Sequence, residues 1–354
     1  MIYLDYASHT PADAAAVAEF CRVEAEFIAN PRAAHTAGAA ARAELERVRT
    51  ATARLLGANP EGLHYTSGAT EANAIAINTH AHEGRHTGKH IITTALEHPS
   101  VSSPLAALRE QGHEVELTEI KSDGTVDLES LAALLRRETV LLCVSWVDSE
   151  LGAVQPIADI AALLEKFPNC RLHVDAAQAV GKIPVSFEGI DSMSVSPHKF
   201  HGLCGCGFLF SSKRFELNAH NGTPSLALAA SSLTALENTL KKPSIDPKIR
   251  EILESYPKVR INSPKNASPF ILNLSVEGVK GTDFQAALDR RGVCVSVKSA
   301  CAAQGTPSRA VLAVSRDRKN ALSSWRVSFS HDTQQEDIDG FLAAFDECYK
   351  ELTC

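Results

Sequence analysis

Three features of this chain place chemically capable side chains in settings that ask for a partner. Lys199 lies in Ser196-Pro197-His198-Lys199-Phe200-His201-Gly202, after a short β-like run and before a stretch rich in Gly and Cys. Most lysines in such surroundings snorkel to the surface. One placed beside an aldehyde forms a Schiff base instead and afterwards carries a proton. Asp175 closes the apolar run His173-Val174-Asp175. A carboxylate there is costly to bury without a cation, although by itself it reads equally well as the N-cap of the next segment. In Tyr65-Thr66-Ser67-Gly68-Ala69-Thr70-Glu71-Ala72-Asn73 a strand ends, a small-residue turn follows and a helix begins. The free N–H groups and dipole of such a helix start suit a phosphate, and Thr70 adds a hydroxyl donor.

Each feature is common on its own; their order along the chain is not. A phosphate turn, then an aspartate, then a lysine, on strands of one parallel sheet, match pyridoxal 5'-phosphate (PLP). Lys199 would hold the aldehyde, and Asp175 would pair with the pyridine nitrogen and keep the ring an electron sink. Ala69, Thr70, Ser196 and His198 would face the phosphate. All of these positions fall at strand ends, where open α/β sheets bind ligands.

The surrounding pattern supplies such a sheet. Residues 60–210 alternate strand candidates (Leu63–Thr66, His90–Thr94, Glu114–Glu119, Val140–Trp146, Arg171–Asp175, Ser192–Ser196, Gly205–Phe210) with helix candidates (Thr70–Ala81, Val101–Glu110, Leu128–Arg137, Ile157–Lys166). That alternation implies a mainly parallel sheet covered on both faces, an α/β fold. Two helices precede it, near Ala12–Ile28 and Thr36–Leu56, and a long one follows at Pro224–Lys241. Lys242-Pro243-Ser244-Ile245-Asp246-Pro247 reads as a link. Beyond it, strands near Phe270–Ser275, Val293–Val297 and Trp325–Phe329 and helices near Thr282–Arg290 and Thr333–Tyr349 form a smaller α+β unit. Thr282-x-x-Gln285 and Thr333-x-x-Glu336 predict a capping box for each of these helices. The expected division is a large domain over 13–242 and a small one over 1–12 and 243–354.

The 354 residues carry a net charge of −7, with 44% apolar and 22% charged side chains. Nothing in that balance suggests a nucleic-acid or membrane surface. No apolar run reaches the ~20 residues of a membrane span. Met1–Asp5 reads as a strand and not as a signal peptide, so a cytoplasmic location is expected. The nine cysteines are scattered with no CxxC pair, which argues against a zinc site or a disulfide framework. Cys204-x-Cys206 reads as two small residues in a buried turn, with a soft-metal site as the less favoured alternative.

At the level of wording the chain resembles a family. Leu4-Asp5-Tyr6-Ala7-Ser8-His9-Thr10-Pro11, Asn30-Pro31, Thr66–Asn73, Glu97-His98, Gly152–Ile157, His173–Gln178, Ser196–Lys199, Ser299-Ala300-Cys301 and Ser324–Ser328 carry the likeness. It is to the cysteine desulfurases of the class V aminotransferase group, the type that serves iron–sulfur cluster assembly. The resemblance implies a PLP-dependent homodimer of fold type I. It also implies roles: His98 stacking on the pyridine and helping proton transfer, Gln178 bonding the phenolic oxygen, and Arg326 clamping the substrate carboxylate. Cys301 is implied as the nucleophile that takes sulfur as a persulfide, and its small, turn-forming neighbours and Lys298 suit an accessible thiolate. The reaction implied is L-cysteine to L-alanine, with the sulfur passed on to an acceptor protein.

Three departures qualify the match. Asp148 and Ser149 stand where the family carries two asparagines, the second of which touches cofactor and substrate. The family's segment rich in glycine and arginine is reduced to Asn221-Gly222-Thr223-Pro224, leaving Thr223 to reach the partner subunit's phosphate. Tyr6, His9, Pro197, His201, Leu203 and Cys204 also replace usual residues. The changed Ser149 keeps open another PLP reaction on a small amino acid, such as a selenocysteine lyase or an aminotransferase. A non-catalytic scaffold of the same fold is the reading from a different class.

Overall fold

A computed structural model describes residues 1–212, 222–245, 248–298 and 306–353. The chain runs β1 (Ile2–Tyr3), α1 (Ala14–Glu26), α2 (Thr36–Leu55), β2 (Leu63–Thr66), α3 (Ala69–Gly84), β3 (His90–Thr93), α4 (Pro99–Glu110), β4 (Glu114–Leu117), α5 (Leu128–Leu134), β5 (Thr139–Ser145) and α6 (Ile157–Leu164). It continues through β6 (Arg171–Asp175), β7 (Ser192–Val195), β8 (Gly207–Ser211), α7 (Leu226–Leu240), α8 (Arg250–Glu254), β9 (Val259–Ile261) and β10 (Ile271–Val276). Last come α9 (Gly281–Asp289), β11 (Val293–Cys294), α10 (Arg309–Ser315), α11 (Arg318–Ser323), β12 (Ser324–Ser328) and α12 (Gln335–Thr353).

Seven strands form the main sheet in the order β2-β8-β7-β6-β5-β3-β4. From β7 to β4 neighbours are parallel, whereas β8 lies antiparallel to both β2 and β7. β5 is buried at every position, as the unbroken apolar run Val140–Val144 requires of a strand covered on both faces. β4 is the exposed edge and carries Glu114 and Glu116, charges that discourage pairing with another chain. Because β8 reverses, β2, β5, β6 and β7 all end at the same side of the sheet. That common edge is where the site forms.

A second apolar core gathers Leu4, Phe284, Trp325, Phe341 and Phe345, with the Phe284 and Trp325 rings stacked 5.0 Å apart. Around it stand the antiparallel set β12-β10-β9 and the parallel pair β1-β11. The N-terminus thus crosses to this core: Ile2 pairs with Val293, and Asp5 bridges to Ser328.

The expected elements of the main sheet are present, with ends shifted by a residue or two. Four short elements were not expected: α8, β9, α10 and α11. The expected strand over Val293–Val297 pairs with β1 only at Val293 and Cys294. Neither capping box forms. Lys280 precedes α9 without a side-chain cap, while Thr282 Oγ1 donates to Asp283 and Gln285 Nε2 to the Val295 carbonyl. At α12 the reciprocal bond is one residue along, with Asp337 accepting from the Gln334 N–H. Thr333 Oγ1 instead accepts from the Ser330 N–H and closes the preceding turn. Among the described residues no helix is long and apolar enough to cross a membrane.

Candidate active site

The ends of β2, β5, β6 and β7 enclose a cavity of about 380 Å³. It is lined by Ala69, Thr70, His98, Ser149, Asp175, Gln178, Ser196, His198, Lys199 and Arg326, together with Ala7, Ser8, Ser67, Ser100 and Ser145. The sequence expectations are therefore brought into one place, save two. Cys301 lies outside the described residues, as does the rest of Ser299–Gly305. Thr223 lines a separate cavity of about 700 Å³, where Ser67 is shared with the first and Asn30 Nδ2 donates to its hydroxyl at 3.3 Å.

Lys199 ends a 3₁₀ turn that leaves β7. Its Nζ donates to the Ala7 carbonyl at 2.9 Å and to the Ser8 carbonyl at 2.6 Å. Arg326, fully buried, donates from Nη2 to Asp5 Oδ1 and to Ser8 Oγ, both at 2.9 Å, and from Nη1 to the Ser149 carbonyl at 2.6 Å. Ser149 thus meets Arg326 through its backbone. Asp148 is buried beside it, accepting the N–H groups of Glu150 and Leu151, and burial near Glu150 pushes its carboxyl up to about 7.

Gln178 is oriented by a second lysine that the sequence reading did not single out. Lys182 Nζ donates to Gln178 Oε1 at 2.6 Å, and Gln178 Nε2 donates to the Ala7 carbonyl at 2.8 Å. The Ala7 carbonyl cannot donate, so the amide can face only one way whatever the charge on Lys182, whose pKa burial pushes well down.

At the opposite wall α3 begins after Gly68 with no side-chain cap on its first turn, leaving N–H groups for an anion. Ser67 holds the turn by donating its N–H and hydroxyl to Glu71. The turn rests on β8, where no side chain fits: a Cβ on Gly207 would lie 2.6 Å from Thr66 Oγ1 and closer still to the Gly68 backbone. Gly207→Ala is therefore expected to displace the turn and weaken PLP binding ~10-fold while the sheet survives. Cofactor titration with circular dichroism as the control tests this; unchanged affinity would remove the turn from the phosphate site. His198, stacked on His9 at 5.8 Å, shares a 3.0 Å hydrogen bond with Ser196. Burial and the nearby Lys199 push it down to about 4, so it is neutral.

Asp175 is buried at the end of β6, its Oδ1 accepting the Ala177 N–H at 3.0 Å and its Oδ2 accepting Asn73 Nδ2 at 2.8 Å. Both donors are neutral, so the carboxylate suits a protonated ring nitrogen arriving in the cavity. Uncapped helix start, carboxylate and lysine fit the phosphate, ring nitrogen and aldehyde of PLP. Behind Asp175, burial pushes His173 down to about 4. The unfolded chain takes up that proton near 6.5 and the folded chain only near 4. This contribution to stability is present above pH 6.5 and lost as pH falls toward 4, by ~3 kcal/mol. Glu97, raised to about 7 by burial, and Asp148 act in the opposite sense in the same range. The expectation therefore concerns a difference: the stability gap between wild type and His173→Gln should narrow by ~3 kcal/mol from pH 7 to pH 4. A gap independent of pH in urea titrations would contradict it.

Fold and site together define a PLP enzyme of fold type I. The family model for class-V aminotransferases matches residues 2–225 and 221–341. A NifS/IcsS protein homolog from Lactobacillus delbrueckii subsp. bulgaricus is 33% identical over 100% of this chain and 98% of its own length. The cysteine desulfurase IscS of Neisseria gonorrhoeae is 33% identical over 95% of this chain and 89% of its own. Human cysteine desulfurase is 33% identical over 96% of this chain and 79% of its own. Among solved structures a NifS-like protein superposes with a TM-score of 0.90 at 28% identity, covering 99% of both chains. SspA in complex with cysteine gives 0.81 at 27% identity, covering 93% of this chain and 99% of that one. The chain belongs to the class-V aminotransferase family.

Proposed function

We propose that the chain is a PLP-dependent cysteine desulfurase that converts L-cysteine to L-alanine and places the sulfur on Cys301. The observation that carries the reading is the sharing of Ser8, whose carbonyl receives Lys199 and whose hydroxyl receives Arg326. A small α-amino acid reaches both groups at once, its carboxylate on Arg326 and its α-proton at Lys199. When bound, PLP withdraws electrons from the substrate's α-carbon. Asp175 holds the ring nitrogen, Gln178 the phenolic oxygen, and Ala69, Thr70, Ser196 and His198 the phosphate. Lys199 takes the α-proton. The Cys301 thiolate attacks the substrate sulfur; the C–S bond breaks with its electron pair left on carbon, which a proton then completes to alanine.

The deciding assay is turnover of L-cysteine by the purified protein with alanine and sulfide both quantified. Stoichiometric alanine supports the reading. Turnover of another small amino acid without alanine from cysteine would favour the lyase or aminotransferase alternative that Ser149 suggests.

We propose a homodimer in which a second copy covers the 700 Å³ cavity that holds Thr223, Arg32 and Arg49 beside Ser67. Sedimentation showing a fully active monomer would contradict it. The division into 13–242 and 1–12 with 243–354 is supported by the two separate apolar cores and by the pairing of β1 with β11. A sulfur-acceptor protein of an iron–sulfur assembly route and a cytoplasmic location complete the proposal.

A further inference from the structure

We infer that Asn73 is a positioning residue that, through one amide, holds the carboxylate of Asp175 and turns the Ser100 hydroxyl toward His98. What Asp175 and His98 would face rests on the reading of the cavity as the PLP site; the hydrogen bonds themselves do not.

Asn73 is fully buried on α3. Its Nδ2 donates to Asp175 Oδ2 at 2.8 Å and to Ser100 Oγ at 2.9 Å, while Oδ1 faces His173 Nε2 at 2.9 Å. Turning the amide over would set its oxygen against the Asp175 carboxylate, so the orientation is determined by chemistry. Every proton further along then has one place. His173 carries hydrogen on Nε2, leaving Nδ1 to accept from Ser192 Oγ at 2.8 Å. Ser192, having donated, accepts from His80 Nε2 at 2.7 Å.

In the other direction the same logic reaches His98. Ser100 Oγ accepts from Asn73 and directs its own proton to His98 Nδ1 at 2.8 Å. That nitrogen also accepts the Ser100 backbone N–H at 3.1 Å, as the N-cap of α4. A backbone amide is never an acceptor, so Nδ1 carries no hydrogen and the neutral ring bears its proton on Nε2. The charged groups around this ring are Asp175, Lys199, Arg309 and Arg326, and burial outweighs the pull of Asp175 to lower its pKa. His98 therefore offers the cavity an N–H donor at Nε2. Protonating it would cost the bond from the Ser100 N–H that caps α4 and would force the Ser100 hydroxyl to turn from donor to acceptor.

The test is nitrogen NMR on the protein as purified with PLP, using ¹⁵N-histidine in one sample and PLP labelled at the pyridine nitrogen in another. His98 and His173 are expected as single Nε2–H tautomers, with His98 neutral at pH 7 and the pyridine nitrogen protonated. Asn73→Ala should mix the His173 tautomers and shift the pyridine signal toward its unprotonated position. Ser100→Ala should move the His98 Nδ1 signal without changing its tautomer, since the backbone bond remains, and Ser100→Thr should restore it. An Nδ1–H signal from His98, a charged His98 at pH 7, or an unchanged pyridine signal in Asn73→Ala would overturn the inference. If labelled PLP fails to bind wild type, the cofactor reading falls, and the histidine signals still decide the network.

Discussion

Lys199→Ala is expected to lower turnover of L-cysteine by ~10³-fold or more, since the variant loses both the covalent anchor and the base. The geometry makes a sharper statement than the loss itself. Two lysines approach the Ala7 carbonyl, Lys199 directly at 2.9 Å and Lys182 through Gln178. Lys199 lines the cavity, and the Gln178 amide stands between Lys182 and it. Borohydride reduction of the cofactor-loaded protein should therefore fix PLP to the peptide containing Lys199. In Lys199→Ala no reduced adduct should form, because a Lys182 amine that turned inward would abandon its bond to Gln178. Folding should be little affected, since water can satisfy the Ala7 and Ser8 carbonyls that receive its hydrogen bonds. An adduct mapped to Lys182 in wild type would reassign the anchor and, with it, the base.

Much of this site was legible because its residues break local rules. A carboxylate closing an apolar strand, a lysine between a strand and a glycine run, and an uncapped small-residue helix start each ask for a partner. Their common edge was not readable: that β2 joins the sheet beyond β8 depends on β8 running antiparallel, and strand direction leaves no mark in composition. The polar residues behind Asp175 did leave a signal that went unread. Ala69, Asn73, Ala76 and His80 share one face of α3 at helical spacing, and among these Asn73, Ala76 and His80 are buried. Polar side chains in an apolar stripe must have hydrogen-bond partners, which here are Asp175, His173 and Ser192. The capping boxes failed for the reverse reason. Gln285 found the Val295 carbonyl and Thr333 a turn, tertiary partners that a four-residue pattern cannot foresee. Cys204 also departed from expectation. It is exposed, 3.8 Å from His9 Nδ1, whereas Cys206 is buried, so the two do not share a buried turn.

Cys301→Ser separates the two halves of the reaction. The variant should bind PLP and L-cysteine as wild type does, because the residues proposed for those contacts, Lys199, Arg326, Asp175 and Gln178, line the cavity and need no thiol. It should release sulfur only at background, since a serine hydroxyl is a far poorer nucleophile toward sulfur than a thiolate. The other cysteines set the terms of the test. Burial raises the thiols of Cys143, Cys170 and Cys206 well above their ordinary range, the last two to about 12 and about 11. None of these three forms a thiolate at neutral pH. Cys21 and Cys204 are exposed and Cys294 is partly so, yet none of the three lines the cavity. Lys298 donates from Nζ to the Thr306 carbonyl at 3.0 Å and to its hydroxyl at 2.6 Å, joining the residues on either side of 299–305. Wild type incubated with L-cysteine should therefore gain one sulfur on the Cys301 peptide, removable by reductant, as read by mass spectrometry. Full desulfurase activity in Cys301→Ser, or a persulfide found mainly on Cys204 or Cys294, would move the nucleophile elsewhere. If wild type shows the spectral change of substrate binding but yields no alanine, the desulfurase reading itself fails and the other PLP reactions become the better account.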